Sequence, residues 1–208
     1  MNQRTFAGAQ IDSPDDLRQI VGLCHDYGAD FALTLNSPFY NDQQMALLID
    51  YVAEAVSAGV GSVILADLGL LRVLKREFPQ LVYHASTLAH LGNSAAIRFY
   101  QQQGIDRIIL PRHLTVAEMA AIANEVNDID CDAFLLVGKC PNTEGYCTFH
   151  HSSSDKIWPC EIDYCIEPLA DSASESLQQA MDRQRSWSQS NRSHGCGLCA
   201  IPGLLAYG

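Results

Sequence analysis

The feature that most restricts the fold of this sequence is a regular alternation between short apolar runs and helix-like segments. The apolar runs recur about every 20–30 residues and have the length of strands, which indicates repeated βα units. They are almost entirely apolar, as expected for parallel strands that are covered on both faces. The alternation therefore predicts an α/β fold with a parallel sheet. The six runs lie at residues 4–9, 30–36, 62–67, 81–86, 107–110 and 132–137.

Helix-start and helix-stop signals fill the intervals between these runs. Ser13 followed by Pro14 combines a cap residue with a proline at the first helical position, and Thr115 with Glu118 forms a capping box. Beyond residue 148 the rhythm is lost, although the polar stretch 171–194 is compatible with an exposed helix. Helices are predicted at residues 14–27, 43–57, 70–78, 94–103 and 115–127, and one ends near residue 208.

Two parallel architectures fit these repeats, a (β/α) barrel and a doubly wound open sheet. No Gly-x-Gly-x-x-Gly motif follows the first run, which weakens a dinucleotide-binding version of the open sheet. Six strands are too few for a complete eight-stranded barrel. In either architecture the functional groups are expected at the carboxyl ends of the strands.

Polar residues follow every predicted strand, although strands also give way to polar loops that have no function. These ends are Gln10, Asn36, Asp67, Ser86–Thr87, Arg112–His113 and Lys139–Cys140. The residues predicted to shape a pocket at this edge are Asn36, Asp67, His84, Arg112 and His113.

Cysteines dominate the chemistry of the last third of the chain. Without a secretion signal, clustered cysteines predict metal or cluster ligands, with free structural thiols and redox disulfides as alternatives. Thiolates bind both zinc and iron–sulfur clusters, so both cofactors fit. Cys24 and Cys131 lie earlier in the chain and are predicted to be small buried hydrophobes. The later six are Cys140, Cys147, Cys160, Cys165, Cys196 and Cys199.

Length and charge limit the classes of function. A chain of 208 residues suits one domain, and it contains neither a signal peptide nor an apolar run of membrane-spanning length, so a cytoplasmic protein is predicted. The formal net charge of −11 disfavours binding to phosphate backbones. Gly-x-Ser-x-Gly and His-Glu-x-x-His motifs are absent, which removes the commoner hydrolase signatures.

Several segments together resemble one known family. His84-Ala85-Ser86-Thr87 with Asn93, and the segment from Arg107 to Leu114, resemble the central signature of the collagenase-like peptidases, peptidase family U32. Val137–Cys147 resembles the glycine- and cysteine-containing segment of that family, and Gly197–Ile201 resembles its later cysteine segment. The resemblance covers about residues 5–208 and is closest over the first 147 residues.

The resemblance carries implications for cofactor and activity. Members of the family include proteins that hold a [4Fe-4S] cluster on four cysteines and act in oxygen-independent hydroxylation of ubiquinone precursors or of RNA bases. The family name implies proteolysis instead. Carried onto this sequence, the ligand set is Cys140, Cys147, Cys160 and Cys199, with Cys165 outside the first shell.

The resulting hypothesis is an incomplete TIM-barrel-like (β/α) scaffold at residues 1–139 with a cysteine-rich, cluster-binding region at residues 140–208 packed on the same domain. It predicts a [4Fe-4S] protein, or alternatively a zinc protein, that hydroxylates a small aromatic or RNA-borne substrate. The acidic charge favours a small molecule or protein over RNA. The alternatives are a collagenase-like protease and a non-catalytic, metal-stabilised subunit. A strand is missing before Arg4 and another is expected after Gly208, which predicts a short paralogue or a truncated product with an incomplete barrel. A homologous partner subunit is a further expectation.

Overall fold

The computed structural model describes residues 11, 13–135, 174–191 and 198–206. The chain divides into two compact units, residues 1–133 and 134–208. The predicted boundary after residue 139, and the packing of the second part on the first, stay predictions. In the described part of the second unit, α6 spans Glu175–Asn191, a short 3-10 helix spans Leu198–Ala200, and α7 spans Ile201–Leu205.

A five-stranded parallel sheet forms the first unit. Its spatial order, β1-β2-β3-β4-β5, is the same as the order along the chain. A doubly wound sheet reverses its strand order at a switch point, whereas a barrel adds each new strand beside the last. The observed order therefore matches a segment of a barrel wall, and the predicted parallel (β/α) repeats are confirmed. The strands are β1 Ala32–Leu35, β2 Ser62–Leu65, β3 Val82–Ala85, β4 Arg107–Ile109 and β5 Asp130–Asp132.

Side-chain caps define where the helices of this unit begin. Ser13 caps the first helix, and Thr115 and Glu118 form the predicted capping box. Asn41 forms a second capping box with Gln44. Each cap satisfies backbone N–H groups that the first helical turn leaves without a partner. The helices are α1 Pro14–Asp26, α2 Asp42–Ser57, α3 Leu68–Glu77, α4 Ser94–Gln102 and α5 Val116–Glu125, and a short 3-10 helix spans Thr87–Ala89.

The prediction for the last strand was wrong, because β5 lies earlier in the sequence than the predicted strand at residues 132–137. The apolar run 132–137 predicted a strand there, but β5 ends at Asp132, and residues 133–135 are not in a strand. Pairing with β4 explains the difference, because Arg107 lies opposite Asp130 and forms ion pairs with Asp130 and Asp132. The predicted first strand, residues 4–9, lies outside the described residues.

The two faces of the sheet differ in chemistry. On one face, Leu33, Val63 and Tyr83 lie side by side in register, and Leu35 with Leu65 continues the next row. These residues are buried in a single cluster with apolar side chains of the helices. The opposite face, here called the polar face, carries a cross-strand row of partly or fully exposed residues: Thr34, Ile64, His84, Arg107 and Asp130.

No helix in the described residues combines the length and apolar character needed to cross a bilayer.

Candidate substrate site at the carboxyl edge of the sheet

Four of the five predicted pocket residues follow the carboxyl ends of strands. Asn36 comes directly after β1, Asp67 precedes the first residue of α3, and Arg112 and His113 lie in the turn after β4. This edge is where parallel α/β folds place their ligand sites. His84 differs, because it lies within β3, in the row of the polar face.

The loop of residues 36–41, here called the β1–α2 loop, lies close to Asp67. Burial raises the pKa of Tyr40, and the negative charge of Asp67 raises it further. The Tyr40 hydroxyl accepts a hydrogen bond of 3.3 Å from the Ser37 backbone N–H. Asp67 accepts a 2.7 Å hydrogen bond from the Leu70 backbone N–H, so part of its hydrogen-bonding capacity caps α3. The structure thus brings the ends of β1 and β2 together, with a protonated phenol beside a carboxylate.

His84 lies beside a network of ion pairs on the polar face. The Arg107 guanidinium contacts Asp130 at 2.7 Å and Asp132 at 3.0 Å. Burial lowers the pKa of His84, Arg107 lowers it further, and Asp132 and Asp106 oppose the change. His84 is therefore neutral at pH 7, with one ring nitrogen to donate a hydrogen bond and one to accept.

Arg107, Asp130 and Asp132 were missed as site residues. The sequence analysis treated Arg107 as the start of an apolar strand and left Asp130 outside any strand. The alternation Asp130-Cys131-Asp132 is the period-two signal that could have found them, because it places two carboxylates on one face. The carboxylates hold the guanidinium of Arg107, which adds to the larger effect of burial in lowering the pKa of His84.

Removing the guanidinium is expected to raise the pKa of His84. In Arg107→Ala the lowering influence of Arg107 is lost while Asp132 and Asp106 still favour the protonated imidazole. Titration of the His84 ring resonances by NMR measures the shift. Arg107→Lys retains the positive charge and should leave the pKa close to that of the wild type. An unchanged pKa in Arg107→Ala would mean that burial alone sets the charge of His84.

Arg112 and His113 occupy different environments. Arg112 is half-buried, whereas His113 is exposed. Hydrogen bonds from Thr115 lower the pKa of Glu118, and His113 contributes a smaller lowering. Within the described residues, His113 therefore interacts with the start of α5 rather than with Asp67 or His84.

The model of peptidase family U32 matches residues 1–208. The chain belongs to this family. The tRNA hydroxylation protein P of Escherichia coli K12 is 29% identical to the U32 chain over 133 residues, which are 64% of this chain and 29% of that protein. The 23S rRNA 5-hydroxycytidine C2501 synthase of the same strain is 25% identical over 163 residues, 75% of this chain and 24% of that protein. The U32 chain thus spans less than a third of each of these relatives.

A solved structure supports the fold of the U32 chain. It is the structure of a U32 peptidase, with a TM-score of 0.51 and 19% sequence identity. The similarity covers 61% of this chain and 54% of that one. At this identity the likeness supports the α/β architecture alone.

The proposed cluster ligands of the U32 chain cannot be placed by geometry. Cys140, Cys147 and Cys160 lie outside the described residues, and only the backbone of Cys199 is described, in the 3-10 helix Leu198–Ala200. Cys165 and Cys196 also lie outside the described residues. The ligand set therefore stays a prediction from the family resemblance.

Cys24 and Cys131 are the two cysteines whose side chains are described, and both are free and half-buried. Burial raises the pKa of the Cys131 thiol, and Asp132 and Asp130 add to the rise. A thiol of raised pKa is a poorer metal ligand than a thiolate. No group of three His, Cys, Asp or Glu side chains in the described part of the chain could hold a metal ion.

Proposed function

We propose that this U32 chain takes part in hydroxylation of an RNA base. The observation that carries the proposal is the similarity of the chain to relatives named for tRNA hydroxylation and for synthesis of 5-hydroxycytidine in 23S rRNA. Family membership over residues 1–208 supports it. A small aromatic substrate of the ubiquinone-precursor type is the second candidate, because it needs the same reaction on a similar ring.

The polar groups at the carboxyl edge suit a neutral heteroaromatic ring. Asn36 offers an amide and Asp67 a carboxylate, so the edge provides both donors and acceptors, and His84 within β3 adds a neutral imidazole on the polar face. Proteins recognise unstacked RNA bases through hydrogen bonds to the edges of the base and through stacking on its faces. A base presented at this edge would meet both hydrogen-bond donors and hydrogen-bond acceptors.

The acidic charge predicted a small molecule rather than RNA, and the named relatives favour RNA instead. An acidic chain and an RNA substrate are compatible if contacts with the base, not with the phosphate backbone, supply the affinity for RNA. Stacking of a base on an aromatic side chain contributes affinity without Lys or Arg, and the chain has 13 Lys and Arg against 24 Asp and Glu.

The proposal includes a [4Fe-4S] cluster held by Cys140, Cys147, Cys160 and Cys199. Four thiolates are the usual donor set of such a cluster, and zinc is the alternative occupant of the same donors. When bound, the cluster supplies one-electron transfer. Cys24 and Cys131 do not belong to the set.

The test is complementation in an Escherichia coli strain that lacks both named relatives. We expect expression of the chain to restore a tRNA or rRNA nucleoside that is heavier by one oxygen atom, measured by mass spectrometry of digested RNA. A Cys140→Ser variant expressed at the same level is the negative control. RNA of unchanged mass from cells that contain the folded chain would contradict the proposal.

The peptidase named by the family remains the alternative function. A peptidase would be indicated if the purified chain cleaved gelatin and its expression left the mass of the RNA nucleosides unchanged. The chain could also be inactive alone and active only when it is mixed with a homologous subunit. That result would indicate that the chain is a non-catalytic partner.

A further inference from the structure

Phe39 is an exposed aromatic side chain at the carboxyl edge of the sheet. Its exposed fraction is 74%, and it lies in the β1–α2 loop. Exposure of a phenyl ring to water forgoes the free energy that burial would supply. Single exposed apolar side chains are common on protein surfaces. Phe39 is a candidate for contact with a ligand because it lies at the edge where parallel α/β folds place their ligand sites.

The β1–α2 loop is held at both sides of Phe39. The Ser37 hydroxyl donates a hydrogen bond of 3.1 Å to the Phe39 carbonyl, and the Ser37 N–H donates to the Tyr40 hydroxyl. Tyr40 packs against the hydrophobic core, and Asn41 starts α2 through its capping box. Pro38 restricts the backbone directly before Phe39. The ring is thus presented on an ordered backbone, which lowers the entropy lost when a ligand binds.

We propose that Phe39 is a stacking platform for a nucleobase of the RNA substrate. This inference rests on the proposed function and names the contact that would orient the base. An aromatic side chain can stack on the face of any base. The hydrogen-bonding groups of Asn36, in the same loop, and Asp67, close to Tyr40, lie at the same edge to contact the rim of the base.

Charge favours a base over a phosphate as the group that contacts this loop. Residues 36–41 contain neither Lys nor Arg, and Asp42 and Asp67 flank the loop with negative charge. These carboxylates repel a phosphate but leave an uncharged base free to stack. RNA binding through Phe39 should therefore depend only weakly on salt, in contrast to binding through phosphate contacts.

The experiment measures the affinity of the full chain for a short single-stranded oligoadenosine that carries one 2-aminopurine. Phe39→Ala is expected to weaken binding about tenfold and to abolish the quenching of 2-aminopurine fluorescence that stacking causes. Phe39→Trp should retain both signals. Phe99 on α4 is 50% exposed, and Phe99→Ala is the matched control that should bind as the wild type does.

A second probe replaces the 2-aminopurine nucleotide with an abasic one. If Phe39 stacks on the base, the wild type should bind the abasic RNA more weakly than the base-containing RNA. Phe39→Ala should bind both RNAs with the same affinity. Equal affinity of Phe39→Ala and wild type for the base-containing RNA would overturn the inference while the proposed function stood. Failure of the wild type to bind either RNA would also overturn the inference, whereas the proposed function is tested separately by the mass of the nucleosides in cellular RNA.

Discussion

Replacing Cys140 with serine is expected to remove most of the iron and acid-labile sulfide from the chain when it is purified without oxygen. The wild type should contain about four irons and four sulfides and should be brown, because a [4Fe-4S] cluster is held by four thiolates. Serine retains the size of cysteine but provides a hydroxyl in place of the thiolate. Iron, sulfide and the visible spectrum together measure the loss.

The chain supplies matched controls for this experiment. Cys131→Ser and Cys24→Ser change half-buried cysteines that are outside the proposed ligand set, and both should retain the cluster. Cys165→Ser tests the family cysteine that the resemblance leaves outside the first shell. Iron and sulfide at wild-type levels in Cys140→Ser would exclude Cys140 as a ligand. One zinc ion per chain without sulfide in the wild type would replace the redox role with a structural one.

The repeated architecture could be predicted from the sequence because its signals are local. The caps at Ser13 and Thr115 are each formed by side chains within three residues of the backbone they satisfy. The apolar runs of β1 to β4 mark the strands. They predicted cover on both faces, but in the described residues only one face is buried against the helices, and the polar face is partly exposed. Signals of this kind depend on short windows of sequence, which is why α1 to α5 differ from prediction by only a residue or two.

The position of β5 could not be predicted in the same way. It pairs through its backbone with β4, and Arg107 of β4 contacts Asp130 across 23 residues of sequence and Asp132 across 25. No short window contains both strands, and the strand was predicted over the apolar run that begins at Ala133. Pairing with a strand that is distant in the sequence thus places β5 where local hydrophobicity did not indicate a strand.

The candidate site was predictable in place but not in detail. Polar residues after each strand identified the carboxyl edge, but the sequence could not show that Asp67 is also the cap of α3. Phe39 was missed because its exposure depends on the path of the β1–α2 loop, which brings Tyr40 rather than Phe39 against the core. The cysteine ligands depend on the family resemblance, since their spacing alone fits several sets.

The two faces of β2 are expected to respond very differently to truncation. Leu65 is fully buried between the sheet and the helices, so Leu65→Ala should lower the free energy of unfolding by about 2–5 kcal/mol through lost burial and a residual cavity. Ile64, its neighbour on the polar face, is only partly buried, and Ile64→Ala should cost about 1 kcal/mol. Urea denaturation followed by circular dichroism measures both.

Equal losses in the two variants would contradict this two-faced description of the sheet, because they would mean that the polar face is as fully covered as the helix face. The small loss of stability expected in Ile64→Ala also allows an effect on function to be measured in a folded protein. Ile64 lies in register with His84 on β3, so Ile64→Ala changes the surface next to the neutral imidazole while most of the stability is retained. A loss of RNA hydroxylation in Ile64→Ala without unfolding would therefore extend the substrate site from the carboxyl edge onto the polar face.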